Sequence, residues 1–411
     1  MHPSTIGDHL AAYRRRQGAT QEQLAERSGV SVETIRKLES NARTSARMAT
    51  LARLARALQI PTSALLGAGG AAAARREPAR DPFALVGIRR ALTPPIGLTG
   101  QPDNESAEDA APSVAQTRES VRAVGELYHA TDYGTALDRL PALLGEVRQL
   151  LDVTTSDDQA EAHKLAALAH QLAGRLLIQL RAHDLAYTAI STASRHGAQS
   201  GDDLVAASMV GPMCWLLLRQ ARLDEAERLA TQVADVIEPT RLSRASVERV
   251  AAWGWLLVEA AAAAARDGRD DDARARLNLA AAAAARVEHY PPTGLTIIDG
   301  FGPGKVAALR AEVAALAGDP TKVLALAERV QPDGRMTPSC WHRHRLDVAW
   351  AHTELSDVAA AQAVLSDLGA RAPVWLRQQR YARDIVRVIV AGRRRAMNVD
   401  LQNLADLVGY R

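Results

Sequence analysis

Two cysteines in 411 residues, Cys214 and Cys340, leave no material for a disulfide framework, and a reduced intracellular chain is the simpler expectation. Phenylalanine occurs only twice, and all aromatic residues together reach 4%. The core cannot rest on large rings. It must come mainly from Ala, Leu and Val, which gain little per buried residue and reward close helix contacts. Lysine is scarce as well, 4 against 46 arginines, a bias that fits a GC-rich coding sequence. No run approaches the roughly 20 apolar residues needed to cross a bilayer, because the alanine tracts are short and bounded by charge. The first residues show no apolar targeting stretch with a cleavage site, so a cytoplasmic protein without membrane insertion is expected.

What is present points to helices. Apolar residues make up 47% of the chain; Ala and Leu are good helix formers, and strand-favouring aromatic residues are few. The length allows more than one domain of about 100–200 residues. An all-α chain follows. Net charge is only +3, but residues 1–80 carry 13 Lys or Arg against 6 Asp or Glu, whereas the remainder is slightly acidic. A basic end on an acidic body suggests an anionic partner for that end, with nucleic acid the leading candidate and double-stranded DNA the specific expectation below.

A first unit spans residues 1–66. Ile6, Leu10 and Tyr13 form one stripe of a helix closed by Arg14, Arg15, Arg16 and Gly18. Thr20 and Gln23 have the spacing of a capping box, Leu24 supplies an inward face, and Gly29 ends the second helix. Ser31 caps a third, with Ile35 and Leu38 facing in. Met48, Leu51, Leu54 and Leu58 repeat at helical spacing in a fourth, and Ala64, Leu65 and Leu66 after Pro61 suggest a short fifth.

The run Thr20-Gln21-Glu22-Gln23-Leu24-Ala25-Glu26-Arg27-Ser28-Gly29-Val30-Ser31, continued by Ile35, Leu38 and Glu39, resembles the lambda repressor/Cro (XRE) helix-turn-helix family. The resemblance implies a five-helix Cro-like head whose third helix enters the major groove. It makes Val32, Glu33, Arg36 and Lys37 the candidate base readers: Arg or Lys to guanine, Glu to cytosine, Val to a thymine methyl group. It makes Gln21 and Ser31 the candidate phosphate contacts, and Arg43, in the loop after the third helix, is a further one. Arg14 to Arg16 either solvate the end of the first helix or reach DNA.

Residues 67–114 read as a linker, with a small helix around Phe83, Val86, Ile88 and Leu92 that has either domain or a dimer partner to dock on. From 115 to 390 similar helix edges recur at Asp132, His183, Arg222, Gly268, Gly318 and Ser356. Measured between equivalent Ala or Val positions, they are spaced 50, 40, 47, 50 and 36 residues apart. Two helices and short loops fit each interval, which is the arithmetic of an α-solenoid. The units resemble degenerate tetratricopeptide repeats, and the chain as a whole resembles actinobacterial regulators that join a Cro-like head to such a body. Residues 391–411 suggest a final amphipathic helix, Leu401, Leu404 and Leu407 after Arg393 to Arg395, that caps the array or helps a homodimer form.

Chemistry is hard to find. Gly300 to Lys305 has neither the leading glycine of a phosphate loop nor a Ser or Thr at Val306, and reads as a connection between repeats. Cys340, His342 and His344 alternate along one helix and do not converge on a metal. His163, His170, His183 and His196 are spread over two helices and read as core or surface. No catalytic residues, metal or cofactor are expected, and the chain does not read as an enzyme. The inner face of the solenoid is the candidate effector surface, with Tyr187, Trp215, Arg219, Trp253, Trp255 and Trp350 as its ligand residues. The expectation is a sequence-specific, homodimeric DNA-binding transcriptional regulator responsive to a small molecule or peptide. The alternative is an interaction scaffold or antitoxin-like partner that its head tethers to DNA.

Overall fold

The computed structural model describes residues 5–42, 46, 48–60, 62, 64–65, 85–95, 98, 112–155, 158–288, 300–331, 336–392 and 397–410. Among them every regular element is a helix. The head contains α1 (Ile6–Arg16), α2 (Gln21–Ser28), α3 (Val32–Glu39) and α4 (Met48–Ala57). Thr62, Ala64 and Leu65 are helical too, at the place of the expected fifth helix; Leu66 lies outside the described residues. Capping boxes open α1 through Thr5 and Asp8, and α2 through Thr20 and Gln23. Each satisfies amide donors that a helix start leaves without partners. Leu10, Leu24, Val30, Ile35, Leu38, Leu54, Leu58 and Leu65 close into one apolar cluster. Gly7 lets α1 cross α3 backbone to backbone, since a Cβ there would lie 1.9 Å from the Leu38 carbonyl oxygen.

The small linker helix α5 (Val86–Leu92) docks on the body rather than the head. Ile88 is buried in the body's main cluster, Gly87 fits against the ring of Pro141, and Arg148 donates 2.7 Å to the Ala91 carbonyl.

The body is a stack of antiparallel helix pairs: α6 (Val114–His129) with α7 (Tyr133–Val153), α8 (Gln159–Gln179) with α9 (His183–Gln199), and α11 (Val210–Arg219), preceded by the short α10 (Asp203–Ser208), with α12 (Leu223–Ile237). It continues with α13 (Val247–Arg266) and α14 (Asp270–Val287), α15 (Pro303–Ala317) and α16 (Pro320–Ala327), and α17 (Pro338–Glu354) and α18 (Val358–Arg371).

The recurring sequence edges are six copies of one turn. Thr131, Arg181, Ala221, Gly268, Gly318 and Ser356 each adopt a left-handed φ between 58° and 82°. In every case the next residue's N–H donates to the carbonyl five residues back, at 2.8–3.0 Å. This is the Schellman closure, which satisfies a terminal carbonyl of the first helix and turns the chain straight into the second. The first helices also touch one another in succession, α6–α8–α11–α13–α15–α17. They form one layer and their partners the other, as in an α-solenoid. The main apolar cluster includes residues from the first pairs and from the last ones.

After α18, α19 (Pro373–Arg377), α20 (Arg380–Ala391) and α21 (Val399–Leu407) close the array. Leu401, Leu404, Ala405 and Val408 are buried there, and α21 packs on α18, α19 and α20. Arg393 to Arg395 lie outside the described residues.

Candidate DNA interface and the inner face of the body

The turn between α2 and α3 is set by Gly29, whose φ of 63° suits a residue without a Cβ. Ser31 then caps α3, its hydroxyl accepting from the Thr34 amide at 3.3 Å. Ile35 and Leu38 bury the inner side of α3, which leaves Glu33, Arg36 and Lys37 exposed and Val32 half-buried at its start. The three charged side chains pair along the helix. Glu33 accepts from Arg36 and lies 3.2 Å from the Lys37 ammonium. Exposed pairs of this kind contribute about 0.3–0.5 kcal/mol, so a base edge can displace them at little cost.

Behind α3, Glu39 ties three helices together. Its carboxylate accepts a bidentate pair from Arg14, Nε and Nη2 both at 2.7 Å, and a third bond from the Gln21 amide at 2.7 Å. Burial alone would raise the Glu39 pKa, but the Arg14 and Gln21 hydrogen bonds and the Arg14 charge outweigh it and hold the group below the usual range. Arg14 also donates to the Ala19 carbonyl. Arg14 is therefore a structural cation inside the head. Gln21, a candidate phosphate contact, has one amide hydrogen engaged with Glu39, and Arg43 lies outside the described residues.

The head rests on the body at one turn. Arg56 of α4 donates to the carbonyls of Asp267 and Gly268, the latter at 3.1 Å, and its guanidinium is 3.9 Å from the Asp267 carboxylate. Thr62 donates to the same carboxylate at 3.4 Å. Gly268 is the left-handed residue of the α13–α14 turn, so the contact reads a backbone shape as well as a charge.

The six candidate effector residues do not form one set. Trp253 is 6% exposed inside the second apolar cluster, and Trp350 is equally buried, its Nε1 donating to Glu354 at 3.0 Å. Tyr187 is half exposed but belongs to α9, a second-layer helix, near Arg222. Trp215, Arg219 and Trp255 remain, on first-layer helices α11 and α13. Trp253 and Trp255 are separated by two residues, about 200° around a helix, and so face opposite ways.

The layer of first helices, the one expected to be the inner face, carries a chain of charges that the aromatic pattern did not reveal. On α13, Trp255, Glu259 and Arg266 share a stripe; on α15, Lys305 and Glu312; on α17, Arg343 and Asp347. Glu312 pairs with Arg266 and lies 3.3 Å from Arg343, which in turn is 3.7 Å from Asp347 and stacks 4.6 Å over the Tyr381 ring. Lys305 sits 5.1 Å over the Trp255 ring. Burial pushes the Glu259 and Asp347 carboxyls up, against the pull of Lys305 and Arg343 respectively. Glu312 is held low, since Arg266, Arg343 and Lys305 outweigh its burial. The sequence signal was there: Glu259 and Arg266, and Lys305 and Glu312, are seven residues apart, and Arg343 and Asp347 four, so each pair shares a helix face.

Three of the four histidines converge where α8 meets α9. His163 and His196 approach Nδ1 to Nδ1 at 3.0 Å with stacked rings, and the His170 ring lies 5.6 Å from that of His196. His170 Nδ1 donates to the Ala166 carbonyl at 2.8 Å. Burial takes the pKa of both His170 and His196 down to about 4, so the cluster is neutral near pH 7. Among the described residues no group of His, Cys, Asp or Glu is arranged to hold a metal, and no helix is long and apolar enough to cross a membrane. Cys214 is buried in the core, its thiol facing the Ala226 carbonyl.

A capped α2, a glycine turn and an α3 with an exposed polar edge give the head the form of a helix-turn-helix unit. Residues 10–65 match the family model described as Helix-turn-helix. PlcR of Bacillus thuringiensis, solved in complex with the peptide PapR7 and DNA, is similar to this chain at 12% identity and a TM-score of 0.38, over 88% of this chain and 99% of that one. No curated protein matches the sequence.

Proposed function

We propose that the protein binds a specific duplex operator as a homodimer and that its helical body responds to a small-molecule or peptide effector. The observation that carries the DNA reading is α3 itself: its apolar side is locked into the head core while Glu33, Arg36 and Lys37 stay exposed. In this reading Val32, Glu33, Arg36 and Lys37 meet base edges, while Gln21, Ser31 and Arg43 hold phosphates. One such head covers few base pairs. Two heads related by a twofold axis read half-sites one helical turn, or a multiple of it, apart.

Helix α13 supports the effector reading. Arg266 faces the inner layer, and the next residue, Asp267, holds Arg56 of the head. A ligand on the inner face therefore acts one residue away from the contact that orients α4. It changes transcription only through unequal affinity for the two head arrangements; equal affinity shifts nothing.

Footprinting on genomic DNA, with light scattering of the full chain, tests the proposal. A dimer protecting paired half-sites, with affinity falling steeply as salt rises, is expected. A monomer on and off DNA removes the twofold arrangement, and a chain that binds every duplex equally is a tethered scaffold rather than a specific regulator.

A further inference from the structure

Arg219 is the odd member of the inner layer. Arg266 and Arg343 share Glu312, and Arg343 also has Asp347, but among the described residues Arg219 has no carboxylate partner. The residue keeps solvent access, yet its guanidinium is densely surrounded by protein and lies 5.6 Å from the Trp215 ring, one turn earlier on α11. Helices α11 and α13 are neighbours, as are α13 and α15, and α15 and α17, which brings the three arginines to one region of the layer. The surrounding protein first, then the charges of Arg343, Arg266 and Arg181, bring the Arg219 pKa down to about 10, with Glu312 pulling the other way. Cations outnumber carboxylates here, and one cation is left uncompensated.

A buried network kept for structure alone pairs its charges, because an unpaired ion in a low-dielectric setting is costly. An arginine held beside like charges, exposed on one side and flanked by an indole, has the makings of an anion site instead. Its planar fork matches carboxylate or phosphate, and the ring offers a flat apolar surface.

We propose that the inner face of the body binds a small organic anion, with the Arg219 guanidinium taking its carboxylate or phosphate and the Trp215 ring its flat apolar part. The proposal rests on the reading of the body as an effector domain and names the chemistry of that effector. Arg266 and Arg343 supply the surrounding positive field, and Glu312 keeps both in place.

Calorimetry and tryptophan emission on the full-length protein, with benzoate, phenyl phosphate and neutral benzamide as probes, test it. At least one of the two anions should saturate at one per chain and bind at least tenfold more tightly than benzamide. The stronger anion shows whether the site is built for carboxylate or phosphate. Arg219→Gln should weaken that anion at least tenfold, and Arg219→Lys should recover part of the loss. Without ligand, Arg219→Gln should melt at or above the wild-type temperature, since it relieves like-charge repulsion. A lower melting temperature assigns Arg219 a structural task and overturns the proposal. So does benzamide binding as tightly as both anions, no saturable anion, or an Arg219→Gln variant that keeps its anion affinity.

Operator affinity, followed in the same titrations, separates this site from the control reading. Anion binding that leaves operator affinity unchanged keeps the site and rejects effector control. An operator response to these anions that persists in Arg219→Gln keeps the control and rejects the site.

Discussion

Replacing Arg14 with alanine distinguishes a structural cation from a DNA contact. The Arg14 and Glu39 side chains are 12% and 6% exposed and bind bidentately. Removing one partner of a buried pair costs about 3–5 kcal/mol, much of it from stranding the other charge. The pair lies in a small head, and Glu39 keeps its Gln21 bond, so the low end, about 3 kcal/mol, is expected. At about 4–8 °C per kcal/mol for a domain of this size, the head should melt at least 12 °C lower. Pairing the substitution with Glu39→Ala should expose a coupling of about 2–3 kcal/mol in a double-mutant cycle. The pH sign follows from the depressed Glu39 pKa. The contribution is complete above the unfolded value and is lost as pH falls through the lower, folded value. Denaturation of the full chain gives the stability, and gel-shift titration at low temperature, where the variant head is still folded, gives DNA affinity. The reasoning predicts near wild-type affinity there. An unchanged melt with uniformly weaker DNA binding and a salt slope reduced by about 1 would place Arg14 on a phosphate and refute it.

Gly7→Ala should destabilise the head by about 2–3 kcal/mol in chemical denaturation, because its Cβ meets the Leu38 backbone rather than a movable side chain. The His170 and His196 pKa values of about 4 are depressed from 6.5, so the unfolded chain takes up protons first as pH drops. Stability should be complete above pH 6.5 and fall between there and about pH 4. The loss is on the order of 3 kcal/mol for His170 and less for the more open His196; urea denaturation across that range checks it, and His170→Gln should flatten the slope. Arg56→Ala should free the head from the Asp267–Gly268 turn, enlarging the radius of gyration in X-ray scattering while leaving affinity for a single half-site intact. An unchanged scattering profile would mean that other contacts hold the head.

Local chemistry was the legible part. The Thr20–Gln23 box, Gly29 and the Ser31 cap act within a few residues, and each appears in the structure where the sequence placed it. The six body turns were legible for the same reason, although Thr131, Arg181, Ala221 and Ser356 show that a left-handed residue need not be glycine. Partnerships across the fold were not legible. Arg14 finds Glu39 25 residues away, Arg56 finds Asp267 on the body, and α5 finds α7, none of which leaves a periodic trace. Trp253 and Trp255 are close in sequence, but helical geometry sends Trp253 into the core and Trp255 the other way. The histidines behaved in the opposite way: residues dispersed along two helices meet because α8 and α9 pack side by side.

The central claim is that α3 reads DNA sequence. The most direct test is Arg36→Ala assayed against a library covering every base at each position of the footprinted operator. The account predicts relaxed preference at one or two base pairs per half-site, with about 1–3 kcal/mol of discrimination lost there and other positions unchanged. Intact preference at every position, or an equal loss across all sequences, would contradict it.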